Sequence, residues 1–323
     1  MNSDNQTASR SKPAYLQFYP TLRCNFDCDF CFNRQLPGCD DVSIENFQKM
    51  VSVCQALGIR HIDMLGGEPT LHPGLFEMLD ILVNAGMMTT ISTNGSRVET
   101  LWQISDRYPR ESVRLGISMN SETIPAPLHQ YILSRRPILK TIFSKHGLIP
   151  ESFKPYIGLE GIEFYLLYRD VLSSADLPHS LPFEVFDKWL AEIRNTYPGV
   201  DGVFCSGFLP DLTDFPVLDS VRCPAGTTKL SVLPDGRVFP CYLLFRHNEF
   251  ELGNIFEDDF ASVWQHPTLA AFRQFDGNRC PQTECRLHQQ CHGGCPAISY
   301  MFDNDLGAPD PRCVYPVNRS ETA

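Results

Sequence analysis

The stretch "LRCNFDCDFCFNR", residues 22–34, gathers Cys24, Cys28 and Cys31 within eight residues and continues directly from the apolar run "YLQFYPTL" (15–22). A short apolar run that ends in polar residues reads as a strand, so the three thiols stand at a strand exit. A four-iron cluster normally takes four thiolates, and a structural zinc takes four Cys or His ligands. Three thiols without a neighbouring fourth leave one coordination position to something other than the local chain.

Outward from this stretch, strand and helix patterns alternate. Further short runs rich in apolar and β-branched residues are "HIDMLGG" (61–67), "MTTISTNG" (88–95), "VRLGISMN" (113–120), "IEFYLLYRD" (162–170) and "GVFCSGFL" (202–209), giving six expected strands. Between them lie helix-period segments. "SIENFQKMVSVCQALG" (43–58) opens on a Ser that suits an N-cap and closes on Gly58; "PGLFEMLDILVNAG", "ETLWQISDR", "APLHQYILSRRPILKTIF" (126–143) and "FEVFDKWLAEIRNTY" follow. Cys54 falls on the stripe Ile44, Phe47, Val51, Cys54 and is expected in the core. Six β-α units form either a doubly wound sheet or a partial barrel, and periodicity does not choose between them. In both, working groups gather where strands end. Here five exits carry the cysteine triad, Gly66-Gly67-Glu68-Pro69, Thr93-Asn94-Gly95, Ser118-Met119-Asn120 and Tyr168-Arg169-Asp170, which points to one site on one rim.

Composition limits the alternatives. With 323 residues and 43% hydrophobic content the chain can bury a large core plus a smaller unit. Its net charge of -11 argues against a nucleic-acid partner, and no apolar run approaches the ~20 residues of a membrane span. The opening "MNSDNQTASRSKP" lacks the apolar segment of a signal peptide, so a cytoplasmic protein with a disordered start at residues 1–14 is expected. Thirteen cysteines in such a chain suggest metal ligation rather than disulfides.

The last third holds most of the other cysteines. "TKLSVLPDGRVFPCYLLF" (228–245) contains two alternating runs joined by Pro-Asp-Gly and reads as a β-hairpin, and a helix is expected within "DDFASVWQHPTLAAFRQF". The order is Cys223, Cys241, then Cys280-x4-Cys285-x5-Cys291-x3-Cys295, then Cys313. Such spacing alone also suits zinc, and a non-catalytic zinc protein is the rival from another class.

The chain resembles the radical S-adenosylmethionine (SAM) superfamily. The resemblance rests on Cys24-x3-Cys28-x2-Cys31 after a strand, Phe30 before the third Cys, and "GGEP" at the next strand exit; the later cysteines resemble the SPASM extension of that superfamily. It implies a partial (β/α)6 barrel over residues 15–215 and a small α+β iron-sulfur unit of hairpin, helix and Cys-rich loops over 216–323. It implies a [4Fe-4S] cluster on Cys24, Cys28 and Cys31 whose open iron binds SAM, contacts to SAM from Phe30, Gly66, Gly67, Glu68, Ser118 and Asn120, and an Arg135 or Arg136 pairing with its carboxylate. Two auxiliary [4Fe-4S] clusters are implied, one on Cys223, Cys241 and Cys295 with an open iron or Cys205, the other on Cys280, Cys285, Cys291 and Cys313. The implied reaction is reductive cleavage of SAM to a 5'-deoxyadenosyl radical and hydrogen abstraction from a peptide or protein side chain, with a tetrapyrrole or other small metabolite as the alternative substrate. The implied partner is an electron donor such as flavodoxin or ferredoxin, and the leader of a peptide substrate is expected to be held either by a separate leader-peptide-binding protein or by the barrel itself. Sulfatase-maturing members carry Asp after the second SPASM cysteine; this chain has Tyr242, a poor base near neutral pH, so formylglycine formation is not expected.

Overall fold

The computed structural model describes residues 12–119, 121, 123–143, 152–197, 200–203, 223–273, 277–285, 288 and 293–314. The expected disordered start, apart from residues 12–14, and Asn120, Cys205 and Cys291 lie outside the described residues. Strands β1 (Tyr15–Phe18), β2 (His61–Met64), β3 (Met88–Thr93), β4 (Val113–Ser118), β5 (Ile138–Phe143), β6 (Phe164–Tyr168) and β7 (Val200–Val203) pair in parallel in chain order. Helices α1 (Ile44–Leu57), α2 (Leu75–Asn84), α3 (Val98–Arg107), α4 (Ala126–Arg135) and α5 (Phe183–Thr196) occupy five of the six crossovers; between β5 and β6 the described residues form only a 3-10 turn at Lys154–Tyr156. This is the expected partial β/α barrel with one parallel strand more than six.

The additional strand is β5, which lies inside the segment read from sequence as one long helix. Pro137 has no amide hydrogen to continue α4 and its ring would collide with the preceding turn. The helix therefore closes on Arg136 in the left-handed region (φ 51) and the chain enters β5 directly. Elsewhere the local signals act as read. Ser43 accepts a hydrogen bond from the Asn46 amide (3.1 Å) to cap α1, and Gly58 ends that helix at φ 67. Cys54 is fully buried with Phe47 and Val51. The expected helix in 258–275 is broken, as α6 (Phe260–Trp264), a 3-10 turn at Pro267–Leu269 and α7 (Ala270–Arg273).

The C-terminal segment joins the same sheet. Strand β8 (Lys229–Val232) pairs in parallel with β1, with Tyr15 opposite Lys229 and Phe18 opposite Val232. Strand β9 (Arg237–Phe239) pairs antiparallel with β8 across Pro-Asp-Gly, the hairpin expected there, and β10 (Gly253–Asn254) pairs antiparallel with β9. Helices α8 (Pro296–Asp303) and α9 (Pro311–Val314) complete the described part of this unit. The segment after β9 reaches the triad loop through side chains: Tyr242, next to Cys241, packs its ring against Phe32, the residue after Cys31.

Candidate functional site

The triad loop is strapped to the exit of β2 by main-chain hydrogen bonds. The amide of Gly67 donates to the Thr21 carbonyl (2.9 Å) and that of Glu68 to the Arg23 carbonyl (2.8 Å). A Cβ on Gly66 would stand 2.5 Å from the Thr21 oxygen, and one on Gly67 2.1 Å from the Arg23 oxygen. The two glycines are therefore required by the chain crossing over them, since any side chain would lift the loop off the sheet. Beyond this strap the Cys31 amide closes a turn on the Cys28 carbonyl (3.1 Å), and Asn94 at the exit of β3 directs its Nδ2 toward the Cys24 sulfur (3.9 Å).

The next residue, Phe32, locks the loop from the other side. Its ring meets Tyr19 at 5.7 Å and Tyr242 at 4.8 Å, and its carbonyl accepts a hydrogen bond from Arg246 (2.8 Å). The loop that bears the triad is thus held between the barrel and the C-terminal unit.

All three triad cysteines border one cavity of about 150 Å³, together with Phe30, Gly66, Gly67, Asn94, Ser118, Lys140 and Asp170. Burial pushes the Cys28 thiol up to about 11, aided by its Cys31 and Cys24 neighbours, and burial also raises Cys31. Ionised sulfur here calls for a compensating positive group.

Glu68 is fully buried and does not border the cavity. Its Oε1 accepts from the amide and hydroxyl of Thr70 (3.0 and 2.6 Å) and from the Thr93 hydroxyl (2.8 Å), while Oε2 accepts from the Asn94 amide (2.6 Å). Its carboxylate ties the exits of β2 and β3 together. Arg135 and Arg136 are not brought to the cavity: Arg135 pairs with Asp106 and lies over Trp102 on the outer helices. The cation that does border it is Lys140 of β5, whose ammonium donates to Ser92 Oγ (2.8 Å). Burial pushes this lysine down to about 8, with Asp63 and Glu68 opposing the shift. Sequence reading missed Lys140 because it placed the residue in a helix; the alternation of "ILKTIF" after Pro137 was the available signal.

A second cysteine site lies beside the first. Cys223, Cys241 and Cys295 border a small cavity with Asp170, Tyr242 and Phe272. Its wall is fixed by a buried ion pair. Both nitrogens of the Arg312 fork reach Asp310 (2.9 and 2.6 Å), and Asp310 also accepts from the Cys295 amide (3.0 Å). Arg312 further donates to the Arg169 carbonyl (2.9 Å) and stacks 4.1 Å over Tyr168, tying this wall to the end of β6. Burial opposes ionisation of Asp310, but Arg312 outweighs it and holds the carboxyl below its usual range. Cys280 and Cys285, in loops, and Cys313, in α9, form a third group, where the side-chain amide of Gln282 donates to the Cys313 carbonyl and the His288 ring reaches the Cys280 carbonyl (3.1 Å).

Among the described residues no three His, Cys, Asp or Glu side chains close on a point as ligands of one metal ion do. The sulfurs of each triad border a space instead, which suits a polyatomic iron-sulfur cluster with thiolate ligands.

Residues 18–142 match the family model described as the radical SAM superfamily, and residues 223–296 match SPASM, an iron-sulfur cluster-binding domain. The antilisterial bacteriocin subtilosin biosynthesis protein AlbA of Bacillus subtilis (strain 168) is 26% identical, covering 88% of this chain and 67% of the relative. The PqqA peptide cyclase of Methylobacterium nodulans is 22% identical, covering 91% of this chain and 84% of the relative. Among solved structures, Streptococcus suis SuiB bound to S-adenosylmethionine superposes with a TM-score of 0.74 at 19% identity, over 94% of this chain and 78% of that one. SuiB bound to precursor peptide SuiA gives 0.73 at 17% identity, over 94% and 76%.

Proposed function

Since the chain belongs to the radical SAM superfamily and carries a C-terminal SPASM domain, we propose that it is a peptide maturase, which abstracts hydrogen from a side chain of a ribosomally made peptide. The observation that carries this reading is the cavity itself: three thiols with no fourth Cys or His beside them among the described residues, two glycines and one buried cation border the same space. When bound, a [4Fe-4S] cluster on Cys24, Cys28 and Cys31 supplies the electron that splits SAM into methionine and the 5'-deoxyadenosyl radical. The peptide assignment draws on the relatives, whose names refer to a bacteriocin and to peptide cyclisation, and on the precursor peptide bound to SuiB.

In this reading the residues of the chain bind, orient and enclose. Phe30, Gly66, Gly67 and Ser118, all on the cavity wall, contact SAM; Asn120, outside the described residues, is assigned the same role on the resemblance alone. Glu68 acts through Asn94 and Thr93, whose positions it fixes, rather than through its own carboxylate. Lys140 supplies the positive charge that the SAM carboxylate needs. The barrel unit spans 15–215 and the auxiliary unit 216–323. Auxiliary clusters occupy Cys223, Cys241 and Cys295, and Cys280, Cys285, Cys291 and Cys313. A flavodoxin or ferredoxin delivers the electrons, and a separate protein holds the leader of the peptide. Among the described residues no helix is long and apolar enough to cross a membrane, and thiolate-bound iron favours the reducing cytoplasm.

The test is to incubate the anaerobically reconstituted enzyme with SAM, dithionite and each short peptide encoded beside its gene, and to measure masses. A loss of hydrogen from one peptide together with 5'-deoxyadenosine is expected; turnover of a tetrapyrrole or another small metabolite with every peptide inert would refute the peptide reading.

A further inference from the structure

Asp170 stands where three spaces meet. It borders the triad cavity, the small cavity of Cys223, Cys241 and Cys295, and an outer cleft of about 450 Å³ that also touches Phe30 and Cys31. Among the described residues it is the one carboxylate that borders the triad cavity. The Tyr242 hydroxyl donates to its Oδ2, and among the described residues no protein donor reaches Oδ1, while the residue keeps part of its surface open.

The phenol that holds it cannot swing away. Its ring is packed against Phe32 at 4.8 Å and has the Lys229 ammonium over it at 5.5 Å. Enclosure raises the Asp170 carboxyl above its ordinary range, against the lowering by the Tyr242 hydroxyl, Arg312 and Lys229; Asp310 adds to the rise. A carboxylate fixed at one oxygen and open at the other, inside the site, has the arrangement of a proton acceptor.

We propose that Asp170, positioned by Tyr242, accepts the proton that the substrate loses during its oxidation at the junction of the two cysteine cavities. The proposal rests on the hydrogen-abstraction reading above. A hydrogen atom leaves the substrate carbon and forms a new C–H bond in 5'-deoxyadenosine. The proton of the neighbouring N–H, O–H or S–H passes to the Asp170 carboxylate. The remaining electron passes to a one-electron oxidant of the iron-sulfur class at Cys223, Cys241 and Cys295, and the carbon and heteroatom gain one bond. Losing the proton makes the substrate radical a stronger reductant, so an acceptor for the proton beside the acceptor for the electron favours both transfers.

The experiment uses the gene-neighbour peptide whose mass the wild type changes, synthesised with deuterium at the reacting carbon, and the variants Asp170→Asn, Asp170→Glu and Tyr242→Phe in the iron-loaded enzyme. For Asp170→Asn we expect iron content equal to wild type, a peptide Kd within about threefold, deuterium still entering 5'-deoxyadenosine, and oxidised product reduced about 100- to 10,000-fold, the usual contribution of a positioned base. Asp170→Glu should recover part of the product, and Tyr242→Phe should fall between. Oxidised product from Asp170→Asn at the wild-type rate would overturn the proposal. So would simultaneous loss of deuterium transfer, peptide affinity or iron, because Asp170 would then serve binding or folding. Absence of deuterium transfer in the wild type itself would instead strike the reading on which the proposal rests.

Discussion

The two cysteine sites at the barrel rim are built by opposite means. The first, on Cys24, Cys28 and Cys31, is held by main-chain hydrogen bonds across two glycines, and its cavity is open to the rim. The second, on Cys223, Cys241 and Cys295, is held by the Asp310–Arg312 pair, both partners almost fully buried. Backbone strapping brings the loop close over the two glycines and leaves the first cavity open at the rim, as exchange of a cosubstrate would require. Side-chain strapping fills the surroundings of the second, which is suited to holding a group permanently and excluding water. The difference suits the first site to exchanging its contents and the second to keeping them.

The sharpest way to break this distinction is to remove the first site alone. Replacing Cys24, Cys28 and Cys31 by Ala should abolish 5'-deoxyadenosine formation while iron at the C-terminal sites, read by Mössbauer spectroscopy, stays at its wild-type amount. Surviving SAM cleavage in that variant would show that the two sites are not divided as described.

The reverse test removes the ion pair. Arg312→Met leaves Asp310 buried without its partner, at a cost of about 3–5 kcal/mol. Denaturant unfolding should register this, with iron lost from the C-terminal site before the first. The carboxyl of Asp310 is held low in the folded protein, so its contribution is present above the unfolded carboxyl pKa and is lost as pH falls through the folded value. The stability gap between wild type and variant should therefore narrow in acid. A gap independent of pH would remove the ion pair from the account.

A smaller effect is expected at Lys140. With Lys140 paired to the SAM carboxylate as proposed, losing that charged donor costs about 1.5–3 kcal/mol, so Lys140→Met should weaken SAM binding roughly 10- to 150-fold. The ammonium loses its proton near pH 8, so wild-type affinity should fall as pH rises through that value, and the variant should lack this dependence. Burial of the same lysine lowers stability while it is charged. Between pH 8 and the unfolded value the unfolded chain binds more protons, so this group makes stability rise with pH. SAM titrations at pH 7 and 9 decide the binding part.

The smallest expected change tests the strap. Gly67→Ala forces a methyl against the Arg23 carbonyl, and overpacking of this kind costs about 1–3 kcal/mol. Iron occupancy of the first site should fall while that of the C-terminal sites holds. Unchanged occupancy would mean that the loop seats without the strap.

Much of this was legible in the chain. Ser43 and Gly58 framed α1, Pro-Asp-Gly marked the hairpin, and the polar groups at successive strand ends pointed to one rim. Local signals are readable because each depends on neighbours within a few residues. The strand β5 was hidden because Leu128, Ile132 and Leu139 keep a helix-like apolar spacing across Pro137. Glu68 could not be told from a ligand-binding carboxylate, since its partners Thr93 and Asn94 belong to another strand exit. Asp170 with Tyr242 and Asp310 with Arg312 acquire their roles from distant packing. Seventy-two residues separate the first pair, and the second matters through its reach to Arg169, 143 residues from Arg312.

The seating of β8 on the edge of β1 also has a bearing on synthesis at the ribosome. Until residue 229 has emerged, β1 is an open sheet edge, and the loop that follows it has no Tyr242, Phe245 or Arg246 to press against; Arg246 and the Phe32 carbonyl it grips are 214 residues apart. Chains are vulnerable in this interval, because exposed edges invite pairing with other chains and such distant contacts form slowly. Iron delivery to the first site is accordingly expected after release rather than during elongation. Nascent chains stalled before residue 229 should acquire little iron compared with the released protein, and equal loading would show that the loop assembles on its own.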